Sequence, residues 1–146
     1  DGEDAMSNLA NDGVITNMIS ASSDFVLHKK RLEPEMPCIV INATDGCFNY
    51  LQSPMHFEFL LLDSLLSADS IVQWEKNLKH NLRAVSGDDH DLTMALFGYE
   101  GFETLHEAYE NRMVYVAKTY IAPWEKAGAE IWQQLWLQYK REQEVL

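Results

Sequence analysis

Apolar residues recur three and four positions apart along most of the chain after Ser53, which is the spacing of one face of an α-helix. Ser53 offers a capping hydroxyl and Pro54 suits the first helical position, so we predict that a helix begins there. Asp69 is predicted to cap a second helix, which Gly87 ends. Three further helices are predicted. The first follows an Asp88 cap and is interrupted at Gly98–Gly101, and the second covers about 101–121. Pro123 opens the third, which runs to about 144.

A shorter part of the chain has the pattern of a sheet. The stretch Ile39–Ile41 is β-branched throughout and lies between a proline and the turn dipeptide Asp45-Gly46. We therefore predict a strand over residues 38–42. Phe25–Leu32 is a candidate antiparallel partner for it, and Phe48–Leu51 is a candidate third strand.

The chain of 146 residues is 47% hydrophobic, which is enough to bury a core of its own. The patterns predict a mostly α fold at the margin of α+β. It is a single-domain helical bundle of about five or six helices, one of them over 8–21, with a small antiparallel β element near residues 25–51. We predict that residues 1–12 form a flexible N-terminal segment and that 13–146 form one globular domain.

The cysteines and the ends of the chain indicate a cellular location. Cys38 and Cys47 do not form a CxxC pair, and no signal peptide or run of about 18 apolar residues is visible. We therefore expect a soluble cytoplasmic protein with two reduced thiols and no membrane partner. The sequence also contains no phosphate loop, Gly-x-Ser-x-Gly or His-Glu-x-x-His motif, so we predict no enzyme and no cofactor.

The formal net charge is −12, and the charge is unevenly distributed. No lysine or arginine occurs between Arg83 and Arg112. Seven acidic residues lie in that interval: Asp88, Asp89, Asp91, Glu100, Glu103, Glu107 and Glu110. A chain with this much negative charge repels nucleic-acid phosphates and anionic lipids. Direct nucleic-acid binding is therefore disfavoured, and a basic partner is favoured.

The four glutamates are spaced three, four and three residues apart, which places them on one side of the helix predicted over 101–121. The core side of that helix is predicted to consist of Phe102, Leu105, Tyr109, Met113, Val116 and Tyr120. The carboxylates are then expected to project into solvent as a row. Three explanations remain open: a solvated face, a salt-bridge lattice with Lys76, Lys79 and Arg83, or a docking surface that imitates the charge of a phosphate backbone.

Two groups of residues have the chemistry of metal ligands. Glu103 and His106 match the Glu-x-x-His spacing of carboxylate-bridged di-iron bundles, and Glu110 follows one turn later. The sequence lacks the second such set that a di-metal site needs. The stretch Asp88–Asp91 can bind a divalent ion weakly, although a helix-capping loop explains it as well. We therefore predict no metal site, with Glu103, His106 and Glu110 as weak candidates.

The last predicted helix is rich in aromatic residues, and its apolar arc is wider than one packed neighbour needs. Either the helix is sandwiched between two core elements or it offers a self-association face, since Trp and Tyr are favoured at interfaces. Trp132, Trp136 and Tyr139 are the candidate interface residues of a possible homodimer.

These patterns favour a non-enzymatic acidic binding protein that blocks a basic site on a partner, as an inhibitor, an immunity-type protein or a nucleic-acid mimic. The expected partner is a nucleic-acid-binding protein, a nuclease or a toxin, and the expected contacts are the seven acidic residues. Two other functions remain open: a structural or adaptor homo-oligomer that uses the aromatic C-terminal helix, and a metal-dependent oxidoreductase that uses the carboxylates and His106.

Overall fold

The computed structural model describes residues 31, 33–48, 50–85 and 87–144. The elements of this part of the chain are, in order, strand β1 (Cys38–Ala43), helices α1 (Asp45–Phe48), α2 (Pro54–Leu66) and α3 (Ile71–Ala84), a 3-10 turn (Asp89–Asp91), strand β2 (Leu92–Phe97), helix α4 (Phe102–Val116), a π-helical turn (Ala117–Ile121), and helices α5 (Ala122–Lys126) and α6 (Ala129–Glu144). The fold is mostly α with a small two-stranded antiparallel sheet, which confirms the predicted fold class. The segment 1–12, the helix predicted over 8–21 and the candidate strand Phe25–Leu32, apart from Arg31, lie outside the described residues.

The sheet pairs β1 with β2 in a register that runs from Cys38 opposite Phe97 to Ala43 opposite Leu92. The strand predicted over 38–42 is therefore confirmed, whereas the helix predicted to follow Asp88 is wrong. Leu92–Phe97 alternates half-buried and exposed side chains, and this period of two is that of a strand. Asp88 does act as a cap, but what it caps is a single 3-10 turn.

Two other boundaries differ from the prediction. Phe48 ends the helical turn α1 rather than beginning a third strand, because Cys47 is buried and its N–H bonds to the carbonyl of Thr44 at 3.1 Å. Pro123 does lie in the first turn of a helix, α5, which continues from α4 through the π-helical turn. That helix ends at Lys126, however, and the last helix begins only at Ala129. A proline is tolerated there because its missing N–H falls where the hydrogen-bond ladder has already shifted.

The predicted helix starts are close to the observed ones. Ser53 caps α2 by accepting a hydrogen bond from the N–H of His56, and Pro54 is the first helical residue. In α3 the cap is Ser70 rather than Asp69, and its hydroxyl accepts from the N–H of Gln73.

The core lies between α2 and the long helical stretch that begins with α4. Leu105, Val116 and Tyr120 are buried on the predicted side of that stretch, with Tyr109 partly buried between them. One buried cluster joins α2, α4, α5 and α6, and a second joins α1, α2 and α3. The opposite side of α4 is left in solvent. None of the helices in the described ranges is long and apolar enough to cross a membrane.

Candidate acidic interaction surface

The glutamate row consists of Glu100, Glu103, Glu107 and Glu110, and all four residues are exposed. The last three lie on α4, where each residue is rotated by about 100° from the one before it, and they fall within an arc of about 60°. Glu100 lies in the bend that precedes the helix. Within the described ranges, no ion pair includes any of the four. The buried side of the helix points about 130° away from them, so the carboxylates face solvent together.

Three basic side chains that could neutralise the row bind other acids. Arg112 follows the row by two residues, but its guanidinium lies on another side of α4 and forms a bidentate pair with Glu58 of α2. On α3, Lys79 bonds to Glu75 at 2.6 Å, and Arg83 bonds to Asp89. Among the described residues, Lys79, Arg83 and Arg112 therefore form their ion pairs with acids that do not belong to the glutamate row.

The three aspartates of the acidic interval lie at the other end of β2, about 20 Å from the glutamate row at the rise of an extended strand. The side chain of Asp89 is only 6% exposed and lies 2.8 Å from the guanidinium of Arg83, whose hydrogen bond holds the pKa of Asp89 below its ordinary value. Asp88 is exposed, and hydrogen bonds from His90 lower its pKa. Asp91 is half-buried. The seven acids of the sequence therefore form two separate groups.

Backbone hydrogen bonds position the aspartates against α1. The N–H of Asp88 bonds to the carbonyl of Gly46 at 2.9 Å, and the N–H of Thr44 bonds to the carbonyl of Asp91 at 3.1 Å. Cys47 is buried between these contacts, and burial, followed by the nearby carboxylates, raises the pKa of its thiol. The thiol therefore stays protonated near neutral pH, which removes the chemistry that a nucleophilic cysteine needs.

One group of metal-ligand type comes together in the described part of the chain, namely Asp88, Asp89 and His90. One ligand atom from each residue lies within 4.8 Å of the others. Carboxylates and an imidazole can bind a divalent cation, but the carboxylate of Asp89 is already held by Arg83.

The candidate ligands on α4 are placed differently. Nε2 of His106 lies 3.1 Å from the carbonyl oxygen of Leu66 and therefore donates a hydrogen bond to it. Glu103 and Glu110 are exposed. The bond of His106 ties α4 to the end of α2 and leaves only Nδ1 of the ring for another ligand.

The aromatic residues of α6 pack mainly against the chain itself. Trp136 is 9% exposed and lies in the main buried cluster, and half-buried Tyr139 packs beside it and edge-on to Tyr120. Trp132 is 36% exposed, stacks on Trp124 and donates its indole N–H to the carbonyl of Trp124. The most exposed large apolar side chains of α6 are instead those of Ile131 and Leu137, each 46% exposed.

A groove that the sequence patterns do not reveal runs between α3 and β2. It has a volume of about 410 Å³ and is lined by Trp74, Leu78, Met94 and Leu96, among others. The alternation of apolar and small or polar residues in Leu92–Phe97 is the signal that identifies its strand wall, but a helix was predicted there.

Comparison with protein-family models, curated proteins and solved structures gives no match to this chain.

Proposed function

We propose that the protein is a non-enzymatic binding protein whose glutamate row occupies a basic site on a partner protein. The proposal rests on one observation, which is that three glutamates on one side of α4 and a fourth in the bend before it are exposed and form no ion pair with any described residue. The partner is a basic nucleic-acid-binding protein, a nuclease or a toxin, and the cytoplasmic location predicted from the thiols belongs to the same proposal.

The geometry of the row suits such a role. Glu103, Glu107 and Glu110 follow one another at axial steps of about 5 Å on a rigid helix, which is comparable to the spacing of successive phosphates along a nucleic-acid strand. The helix is fixed from behind by Leu105 and Val116, so the carboxylates need little ordering on binding. Rows of one sign accelerate and orient encounters with a surface of the opposite sign.

The test compares two double variants with the same net charge. Glu107→Lys/Glu110→Lys reverses the row, and the control Glu35→Lys/Glu130→Lys reverses two exposed glutamates elsewhere. Each replacement adds two positive charges, so both doubles change the formal charge from −12 to −8. Immobilised wild type, row variant and control are exposed to a lysate of the native host at about 50 mM and 500 mM salt.

Proteins retained by the wild type and the control, lost by the row variant and released at high salt support the proposal. Their release by duplex DNA identifies a nucleic-acid mimic. Equal retention by the row variant and the control contradicts a docking role for α4, provided that both variants show the circular dichroism of the wild type.

A second candidate function is divalent-cation binding by Asp88, Asp89 and His90, which the convergence of their ligand atoms favours. Arg83 competes for Asp89, so affinity is expected to be weak and to rise several-fold in Arg83→Gln. Calorimetric titration with Mn²⁺ alone tests this, with Asp88→Asn as the disrupting variant and exposed Asp69→Asn as its control. Equal heats for wild type, Asp88→Asn and Asp69→Asn would exclude the site.

A further inference from the structure

The hydrogen bonds of the sheet show which backbone groups of β2 are unbonded. The N–H of Thr44 bonds to the carbonyl of Asp91, and these residues are opposite each other one step beyond the Ala43–Leu92 pair. Opposite residues in an antiparallel sheet alternate between bonded and non-bonded pairs. Thr93, Ala95 and Phe97 therefore bond to β1. The backbone groups of Leu92, Met94 and Leu96 point to the other edge of β2.

That edge has no partner strand in the described part of the chain, because the sheet consists of β1 and β2 alone there. The edge groups of Leu92, Met94 and Leu96 also form no other backbone hydrogen bond in these ranges. An unpaired edge of this kind is a template for a further strand.

The groove between α3 and β2 is lined by residues of β2 and by none of β1, so it lies on the side of β2 that faces away from β1. Its helical wall includes Ile71, Trp74 and Leu78, which follow one another at helical spacing, and Ile71 is 51% exposed. Trp74 is buried, and its indole N–H has no acceptor among the described residues. Apolar side chains of α3 thus face β2 across the groove.

Charge distinguishes the two ends of the groove. At the Leu92 end the lining includes Asp89 and His90, and Asp88 and Asp91 flank these two residues in the sequence. Arg83 is the cation that bonds there, and it is already used by Asp89. The other charged residues of the groove lining, Glu75 and Lys79 of α3, form an ion pair with each other and so add no net charge. An occupant therefore fits best with its positive charge at the Leu92 end.

We propose that this groove binds an extended segment of a partner protein, which adds to β2 as a further strand, places alternate apolar side chains against α3, and places a lysine or arginine beside Asp88. Main-chain hydrogen bonds to Met94 and Leu96 would give such a strand affinity, and the apolar wall and the acidic end would give it specificity. This surface is separate from the glutamate row, so the two proposals stand or fall independently.

The probe is a synthetic nine-residue peptide of alternating valine and threonine with two arginines at one end. Hydrogen exchange is measured on the whole chain with and without the peptide. In the free protein, the amides of Leu92, Met94 and Leu96 are expected to exchange faster than those of Thr93, Ala95 and Phe97. The peptide is expected to slow exchange at Met94 and Leu96 selectively. A peptide with two glutamates in place of the arginines is expected to bind about three- to tenfold more weakly.

Two neighbouring residues give a matched pair of variants. Ile71 and Val72 are both exposed apolar residues in the first turn of α3, but only Ile71 lines the groove. Ile71→Glu is expected to weaken peptide binding at least about tenfold because it places a charge in the apolar wall, whereas Val72→Glu leaves binding unchanged. Both variants introduce an acidic residue in the first turn of a helix, where the helix dipole tolerates it.

Several results would overturn the proposal. One is the absence of any exchange change at millimolar peptide, and another is equal loss of binding in Ile71→Glu and Val72→Glu. Slow exchange at Met94 and Leu96 in the protein alone would show that the groove is already filled. A second copy of the chain fills it if this protection increases with protein concentration, and the chain itself fills it if the protection does not change.

Discussion

Arg112 and Glu58 form a bidentate ion pair between α4 and α2, with Nε 2.7 Å from Oε1 and the second guanidinium nitrogen 2.9 Å from Oε2. The hydrogen bonds to Glu58 raise the pKa of Arg112. The pair also explains why the glutamate row is unneutralised, since the nearest cation along the chain is committed to another helix.

Glu58→Gln is expected to lower the free energy of unfolding by about 1–2 kcal/mol, because the half-buried guanidinium then loses its bidentate carboxylate and keeps only the more distant one of Glu142, at 4.0 Å. Urea unfolding measures the loss. Glu75→Gln, which breaks the more exposed pair with Lys79, serves as the control and is expected to cost less than about 0.5 kcal/mol. Equal losses in the two variants would show that the Arg112 pair does not hold α4 to α2.

Neutralising two members of the glutamate row is expected to change stability in opposite directions. Glu103 lies in the first turn of α4, where the helix dipole favours an anion, so Glu103→Gln is expected to cost about 0.3–1 kcal/mol. Glu107 lies between two like charges and far from the helix start, so Glu107→Gln is expected to stabilise by about 0.2–0.5 kcal/mol. Thermal unfolding at low and high salt measures both changes, and salt should reduce both. A destabilising Glu107→Gln would indicate that the carboxylate has a partner in the folded chain.

His56 makes the stability of α2 dependent on pH. Burial lowers its pKa below the ordinary value of 6.5, and the carboxylate of Glu125 offsets part of that shift. The unfolded chain then binds the proton more readily than the folded one, so the stability contribution is complete above pH 6.5 and is lost as the pH falls toward the lowered pKa. The neutral ring is held by the Ser53 hydroxyl at 2.7 Å and by an edge-on contact with Trp124.

We therefore expect the unfolding free energy of the wild type to fall more steeply than that of His56→Gln as the pH drops below 6.5. The exposed His80→Gln is the control and should retain the slope of the wild type. If His56→Gln also retains that slope, the proton is taken up elsewhere.

A glycine fixes the turn that brings the aspartates to α1. A Cβ on Gly87 would lie 2.5 Å from the carbonyl oxygen of Cys47, a backbone atom that cannot move away on its own. Gly87→Ala is therefore expected to destabilise by more than about 2 kcal/mol, in the range of other overpacked sites. A Cβ on Gly101 meets nothing within 4 Å, so Gly101→Ala is expected to change stability by less than about 1 kcal/mol. Similar midpoints for the two variants in urea would place Gly87 in open space.

Local chemistry predicted some of these features and not others. The cap at Ser53, the strand at Ile39–Ile41 and the core side of α4 each depend on a few neighbouring residues, and each was confirmed. The pairing of β1 with β2 joins residues about fifty positions apart, which a local pattern does not specify. For the same reason, the seven acidic residues form one block in the sequence, but in space β2 separates them into two groups.

The aromatic helix shows the same limit of local patterns. Helical spacing identified Trp132, Trp136 and Tyr139 as a wide apolar arc, but the number of neighbours that cover an arc depends on tertiary packing. Trp132 stacks on Trp124, and Tyr139 packs edge-on against Tyr120. Residues of the same chain therefore cover much of that arc.

A variant of a residue outside the core tests whether α6 forms a homodimer interface. Trp136→Ala removes a buried side chain from the main cluster and is expected to cost about 3–5 kcal/mol of unfolding free energy. Leu137→Ala removes a side chain that is 46% exposed and is expected to cost less than about 1 kcal/mol. Leu137→Ala therefore leaves the fold intact for sedimentation velocity over a range of concentrations. A homodimer formed through α6 would dissociate more readily in Leu137→Ala than in the wild type, and a Leu137→Ala protein that sediments as the wild type at every concentration would exclude that face.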